Sequence, residues 1–141
     1  MIVVSREWLV RQNMKENNLK NKSFLFAIRI VKLYQYLVSE KKEFVLSKQI
    51  LRSGTSIGAM VREAEHSESK SDFIHKLAIS QKEINETIYW LELLQATDFL
   101  KKEEFESIHI DAIEIINILT TIIKNTKLTL KANLEKLTTY N

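Results

Sequence analysis

Proline is absent from the 141-residue sequence and glycine occurs only twice, which restricts the chain to folds that need few turns. Sandwiches and barrels of short strands require turn residues at short intervals, and this sequence has too few of them. Hydrophobic residues make up 45% of the chain and charged residues 28%, a balance that is typical of a globular domain with one core. Long helices packed in a single domain are therefore the predicted architecture.

Apolar residues recur at spacings of three and four, which predicts amphipathic helices. The helices are predicted over residues 23–39, 45–65, 71–97 and 102–124 or beyond. Ser23 is the predicted N-cap of the first helix, and Ser69 or Ser71 that of the third. Because the connectors are short, we expect an all-α, antiparallel up-down-up-down four-helix bundle.

The same spacing predicts which side of each helix faces the core. The predicted stripes are Phe24, Ala27, Ile28, Val31, Tyr34 and Val38; Leu46, Ile50, Ser53, Ile57, Val61 and Ala64; Leu77, Gln81, Ile84, Ile88, Leu91 and Gln95; and Phe105, Ile108, Ala112, Ile115, Leu119 and Ile122. Ile30, Leu33 and Leu37 widen the first stripe. Further isoleucines of the fourth helix, including Ile110 and Ile113, lie outside its stripe and indicate contacts between subunits.

The two ends of the chain are left open between alternatives. Residues 1–22 form either an N-terminal arm or a short extra helix around Trp8 and Leu9. Residues 126–141 either extend the fourth helix or form a flexible tail. The bundle itself is predicted to occupy residues 23–125.

Small residues are concentrated at positions 53–59, where both glycines lie. Small side chains let two helix backbones approach closely, so the expected role is packing. A phosphate-binding loop would end in Gly-Lys-Ser/Thr and follow a strand, and neither feature is present.

Charge is distributed unevenly along the predicted bundle. Residues 23–62 carry seven basic and two acidic groups, and residues 63–123 carry five basic and thirteen acidic groups. One hypothesis is that the basic half of one subunit meets the acidic half of the next, forming a ring. The alternative is RNA or DNA binding by the basic tails. Candidate contacts for a partner or nucleic acid are Arg29, Lys32, Lys41, Lys42, Lys48 and Arg52.

Charged residues on the second and third helices are also predicted to pair with each other. In an antiparallel hairpin that turns near Glu68, Arg52 falls opposite Glu83 and Glu86. The same count of residues from the turn places Arg62 near Asp72. If a carboxylate were buried, Arg52→Ala would cost about 1–3 kcal/mol by leaving it unpaired. At a core position, Gln81 needs a hydrogen-bond partner.

No catalytic, cofactor or metal site is predicted. A chain without cysteine has no thiol nucleophile, and the glycine-rich dinucleotide fingerprint, the His-Glu-x-x-His motif and the nucleophile elbow are missing. Two pairs with the spacing of metal ligands, Asp72 with His75 and Glu106 with His109, are expected to lie about 22 Å apart, too far to share an ion. The chain is therefore predicted not to be an enzyme.

The absence of cysteine, of an apolar signal sequence in the first residues and of any run of about eighteen apolar residues predicts a cytoplasmic protein without membrane contact.

Residues 47–94 resemble the bacterial four-helix bundle proteins related to the large-subunit ribosomal RNA intervening-sequence proteins. The resemblance is carried by RSGTSIGA at 52–59, REA at 62–64, DF at 72–73 and ETIYWLE at 86–92, in that order. It extends from about Phe24 to Lys127. It implies an antiparallel bundle that assembles into a ring of five copies, without known enzymatic activity. Related accessory proteins imply nucleic-acid binding as the alternative.

Overall fold

A computed structural model describes residues 6–139, which form four α-helices joined by three short connectors. The helices are α1 (Arg6–Ser39), α2 (Leu46–Glu65), α3 (Lys70–Ala96) and α4 (Lys102–Thr139). Each helix packs against its neighbours in the chain, and α4 closes the bundle by packing against α1. The predicted all-α four-helix bundle is confirmed. None of these helices combines the length and the hydropathy that crossing a bilayer requires.

The first helix is longer than its predicted bounds, and the last helix follows the longer of its two predicted alternatives. Helix α1 begins at Arg6, not at Ser23. Ser23 is buried within α1, where its hydroxyl donates to the carbonyl of Lys20 at 3.1 Å, so its prediction as an N-cap is wrong. Helix α4 continues to Thr139. Residues 1–5 and 140–141, which the predictions for the two ends also cover, lie outside the described residues.

The core-facing side of α1 differs from the predicted stripe. Its buried residues are Leu19, Ser23, Phe26, Ile30 and Leu37. Phe24, Ile28 and Val31 of the predicted stripe are exposed instead. Spacing does not decide the orientation because both sides of α1 are apolar. Packing of Ile30 against Gly54 of α2 decides it.

Packing between α1 and α2 depends on the two glycines. A Cβ atom at Gly54 would lie 2.7 Å from Cγ1 and 2.8 Å from Cγ2 of Ile30. At Gly58 it would lie 3.3 Å from the hydroxyl oxygen of Ser23. The small residues of α2 therefore let the backbones of α1 and α2 approach more closely than larger residues would allow.

Buried hydroxyl groups join α2 to α3. The hydroxyl of Thr87 donates to Oγ of Ser53 at 2.9 Å, and the hydroxyl of Ser80 donates to the carbonyl of Ile57 at 2.9 Å. Ser53, Ser80 and Thr87 are fully buried. Buried hydroxyls are stable only with a partner, so these bonds favour one register of the two helices.

The other stripes agree better with the burial pattern. The predicted core residues that are buried are Ile50, Ser53, Ile57, Val61 and Ala64 in α2, Leu77, Ile84 and Leu91 in α3, and Ile108, Ala112, Ile115, Leu119 and Ile122 in α4. Gln81 lies at the edge between α3 and α4, where its amide donates to the hydroxyl of Thr120 at 3.1 Å. Gln81 is half-buried, so its side-chain amide forms this hydrogen bond at the edge of the core and not inside it.

In two of the helices, a side chain accepts hydrogen bonds from the N–H groups of the first turn. Ser69 accepts a hydrogen bond from the N–H of Asp72 at 3.0 Å, which confirms it as an N-cap of α3. Glu43, predicted only as part of a charged connector, begins α2. Its carboxylate accepts from the N–H groups of Val45 and Leu46 at 3.0 and 2.8 Å, and from that of Ser47 at 2.6 Å.

Candidate interaction surfaces

The outer side of α1 carries an apolar surface, the α1 face, that consists of Phe24, Leu25, Ile28 and Val31. At 3.6 residues per turn these four positions lie within about 120° of one another, so they share one side of the helix. Phe24 is 51% exposed and Leu25 is 60% exposed. The guanidinium carbon of Arg62 lies 5.2 Å from the centre of the Phe24 ring and borders this surface. Contiguous exposed apolar surface is typical of a contact site.

Helix α4 adds apolar surface beside the α1 face. Ile110 is 67% exposed, and Ile113 on the next turn is also exposed. Arg29 of α1 donates to the carboxylate of Asp111 at 2.6 Å, which brings this part of α4 to the level of the α1 face. The two isoleucines that lie outside the predicted core stripe are therefore exposed at the same level of the bundle as the α1 face.

Three further exposed apolar residues, which we group as the α3 face, lie at the start of α2 and on α3. Its exposed residues are Phe44, Val45 and Tyr89. The Tyr89 ring meets the Trp90 ring edge to face, with 5.0 Å between their centres. Helices α1 and α3 occupy opposite corners of the bundle, since each packs against α2 and α4. The α1 face and the α3 face therefore point in different directions.

The candidate contacts for nucleic acid fall into two groups. Arg29 and Arg52 are engaged within the chain, Arg29 with Asp111 and Ser107 of α4, and Arg52 with carboxylates of α3. The exposed members are Lys32, Lys41, Lys42 and Lys48. The ammonium of Lys41 lies 6.0 Å from the centre of the Tyr36 ring. Four basic groups with no ion pair inside the described residues 6–139 thus remain on this half of the bundle.

Ion pairs join the basic half of the bundle to the acidic half within one subunit. Lys22 pairs with Glu114, and Arg29 pairs with Asp111, both between α1 and α4. Arg52 pairs with Glu83 and Glu86 between α2 and α3. Charges that are paired within a subunit contribute less to attraction between subunits, so the apolar faces are better supported as contact surfaces than the charge division.

The exposure of the Arg52 pair lowers the expected cost of removing it. Arg52 Nη1 lies 3.2 Å from Glu83 Oε2, but the Arg52 side chain is 50% exposed. Exposed ion pairs contribute little, so we expect Arg52→Ala to lower the free energy of unfolding by less than about 1 kcal/mol. Urea unfolding of the variant measures this difference. A loss of about 2 kcal/mol or more would show that the carboxylates depend on Arg52 for burial.

The predicted proximity of Arg62 to Asp72 does not produce an ion pair. Arg62 lies over the Phe24 ring on the α1 side of α2, and Asp72 accepts from the N–H of Glu68 at 3.4 Å. The prediction used only the position of each residue along its helix and not its direction around the helix axis. Arg62 follows Arg52 by ten residues, or about 280° at 3.6 residues per turn, so its side chain does not return to the side that faces α3.

A groove of about 550 Å³ lies at the end of the bundle where α2 turns into α3. Helices α1 and α4 form its sides, through residues that include Asn13, Glu16, Thr126 and Thr129. Its apolar lining consists of Leu19, Val61, Ala64, Phe73 and Leu77. The sequence left both ends open between a helix and a flexible segment, so it did not reveal this groove, which forms only when both ends are helical.

Carboxylates predominate among the charged groups of the groove, which are Glu16, Glu65, Glu68 and Lys70. Burial raises the pKa of Glu16, and the nearby negative charge of Glu65 raises it further. Glu65 also pairs with Lys20 at 3.3 Å. The groove therefore combines an apolar lining with a negative rim.

No metal centre is found among residues 6–139: no three histidine or carboxylate side chains in this range are placed to hold an ion. His109 stacks on the Phe105 ring with 5.1 Å between the ring centres, and His75 is exposed. The two pairs with ligand spacing therefore stay separate from each other.

Comparison with known proteins gives a family match over most of the bundle. Residues 15–121 match the model of the family described as 23S rRNA-intervening sequence protein. A crystal structure at 1.70 Å resolution, of a protein with unknown function from the S23 ribosomal protein family of Bacteroides thetaiotaomicron VPI-5482, is 60% identical with a TM-score of 0.78. The match covers 78% of this chain and 98% of that chain. None of the curated proteins matches this chain.

Proposed function

This chain belongs to the 23S rRNA-intervening sequence protein family, and within it we propose that the chain is a cytoplasmic, non-catalytic interaction module that assembles into a ring of identical copies. The observation that carries the proposal is the exposed α1 face. Four apolar side chains on one side of a helix are costly to leave in water, and burial against a second copy offsets that cost. The family resemblance implies five copies.

Two separate apolar faces favour a ring over a two-fold dimer. In a dimer one surface meets itself, whereas in a ring one surface meets a different surface of the next copy. Tyr89 of the α3 face lies on the helix diagonally opposite α1, while Phe44 and Val45 lie at the start of α2, so the two faces are separate and available to meet in this way. We therefore propose that the α1 face of each copy packs against the α3 face of its neighbour.

Charge substitutions in the α1 face are expected to open the ring. Leu25→Glu combined with Ile28→Glu places two carboxylates where the neighbouring copy packs, and burying them without partners is strongly unfavourable. Native mass spectrometry should show an assembly of several copies for the wild-type protein and a smaller number of copies for the variant. Val45→Glu with Tyr89→Glu, in the α3 face, should have the same effect.

The matched control is Ala59→Glu with Ser71→Glu, which adds two carboxylates at exposed positions of α2 and α3 outside both faces. This control should keep the wild-type number of copies. A wild-type protein that is monomeric at micromolar concentration in both low and moderate salt would contradict the ring. So would a wild-type assembly that the α3-face variant leaves intact.

RNA binding is the second candidate function. It is supported by the exposed Lys32, Lys41, Lys42 and Lys48 and by the name of the family, which refers to an intervening sequence of 23S rRNA. Lysines bind phosphates mainly through charge, so such binding would weaken steeply with salt. The same mass spectra distinguish this candidate, since RNA that accompanies the protein adds mass. A filter-binding titration that retains no RNA at low salt would exclude it.

A further inference from the structure

The core stripe of α4 continues past the end of the bundle. Ile115, Leu119 and Ile122 are buried, and the same side of the helix then presents Leu130, Leu134 and Leu137. Leu134 is 56% exposed and Leu137 is 64% exposed. Within the described residues 6–139 these two leucines therefore remain largely open to solvent. We call residues 127–139 the α4 extension.

The α4 extension does not fill the groove of its own subunit. Thr126 and Thr129 line the groove, and the helix continues without interruption to Thr139. At 1.5 Å per residue, Leu134 and Leu137 lie about 8 and 12 Å beyond Thr129 along the helix axis. The leucines could reach the groove of their own subunit only if the helix were broken.

The charges of the α4 extension are opposite to those of the groove. The extension carries Lys127, Lys131 and Lys136 and one acidic residue, Glu135. The groove carries three carboxylates and one ammonium group among its lining residues, and one of the carboxylates, Glu65, also pairs with Lys20 of its own subunit. Complementary charges around apolar surfaces favour association and determine its orientation. The extension thus has both the apolar side and the charge that the groove can accept.

The α4 extension lies outside the region that matches the family, which ends at residue 121. The solved relative covers 78% of this chain. Contacts made by the extension therefore add to the shared bundle, and they use a different part of the molecule from the α1 face and the α3 face.

We propose that the α4 extension of one copy packs into the groove of a second copy, with the exchange made in both directions across a two-fold axis. In this arrangement Leu134 and Leu137 contact the apolar lining of the partner's groove, and the lysines of the extension face the carboxylates on its rim. A reciprocal exchange closes on itself, so it joins bundles in pairs. The pairing is additional to the proposed ring, and joining two rings doubles the number of copies.

The test is made on the full-length chain with Leu134→Asp and Leu137→Asp. Native mass spectrometry should show an assembly of half the wild-type mass. The matched control, Leu128→Asp with Thr139→Asp, adds the same two charges on the opposite side of the extension and should keep the wild-type mass. An unchanged mass for the first variant, or an equal loss in the control, would overturn the proposal.

The chain contains no cysteine, so introduced cysteines are its only thiols. A disulfide between two of them therefore identifies the segment that occupies the groove. Copies with Asn13→Cys, in the groove, are mixed with copies that carry Leu137→Cys. Under mild oxidation a disulfide should form between the two kinds of chain. Its absence, with each thiol reactive toward a small reagent, would overturn the proposal.

These experiments distinguish the proposed ring from the proposed pairing through the α4 extension, because different outcomes contradict each. An odd number of copies in the wild-type assembly would overturn the pairing and leave the ring. A wild-type dimer that becomes a monomer in the Leu134→Asp, Leu137→Asp variant would support the pairing and contradict the ring.

Discussion

Replacing Gly54 with alanine is expected to lower the free energy of unfolding by about 1–2 kcal/mol, although alanine is the better helix former. The new Cβ would lie 2.7 and 2.8 Å from two carbons of Ile30. Ile30 is fully buried and branched at Cβ, so it has little freedom to move away. The steric cost therefore exceeds the gain of about 1 kcal/mol in helix propensity. Urea unfolding followed by circular dichroism measures the change.

A double-mutant cycle with Ile30→Ala separates the clash from other effects. Ile30→Ala alone should cost about 2–5 kcal/mol, because it leaves a cavity in the core. In the double variant the Cβ introduced by Gly54→Ala meets no isoleucine, so the combined loss should be smaller than the sum of the single losses. Additive losses, or a Gly54→Ala variant that is more stable than wild type, would show that α1 and α2 are not limited by this contact.

Replacing Glu43 with glutamine is expected to cost about 2 kcal/mol, because the start of α2 then loses an acceptor in a buried position. Both carboxylate oxygens accept from backbone N–H groups, with Ser47 donating to Oε2 and two other residues donating to Oε1. An amide presents one oxygen and one NH₂ group, so an N–H of the helix would face another donor. Glu40→Gln, at an exposed position of the same connector, is the matched control and should change stability little.

The Glu43 contribution also depends on pH. Burial raises the pKa of this carboxyl, but the hydrogen bonds from the backbone N–H groups of Leu46, Ser47 and Val45 lower it by more, so the net shift is downward. The carboxylate therefore stabilises the fold fully above the ordinary pKa of glutamate, and this stabilisation is lost as pH falls through the lowered pKa of the folded state. The difference between wild type and Glu43→Gln should shrink on acidification. A constant difference over that range would contradict the assignment.

The buried sides of α2, α3 and α4 could be predicted from the spacing of their apolar residues, and α2 has the clearest division between an apolar and a polar side. Helix α1 could not be oriented in this way, since Phe24 and Phe26 lie on different sides and both sides repeat at helical spacing. The deciding contact, Ile30 against Gly54, joins two helices and is not visible in either one alone. As a result, three residues of the α1 face were assigned to the core, although the excess of apolar surface already indicated contacts between subunits.

The candidate surfaces were predicted only in part, for reasons of geometry. The position of Arg52 opposite Glu83 follows from counting residues along a hairpin, whereas Arg62 also requires the rotation of the helix. Glu43 was missed because its role depends on a side chain that folds back onto the first turn of α2. The groove requires two helices from opposite ends of the chain to run past the turn between α2 and α3, and the sequence left each end open between a helix and a flexible segment.

The order of the helices has a consequence for how the chain folds. Three of the four helix–helix contacts join neighbours in sequence, and only the contact between α4 and α1 joins distant segments. Contacts between nearby segments require little loop closure, and proteins dominated by them fold in microseconds to milliseconds. During synthesis the hairpin of α2 and α3 can form while α4 is still being made. The contact between α1 and α4 is therefore the last of the four to form, since α4 is the last helix to be made.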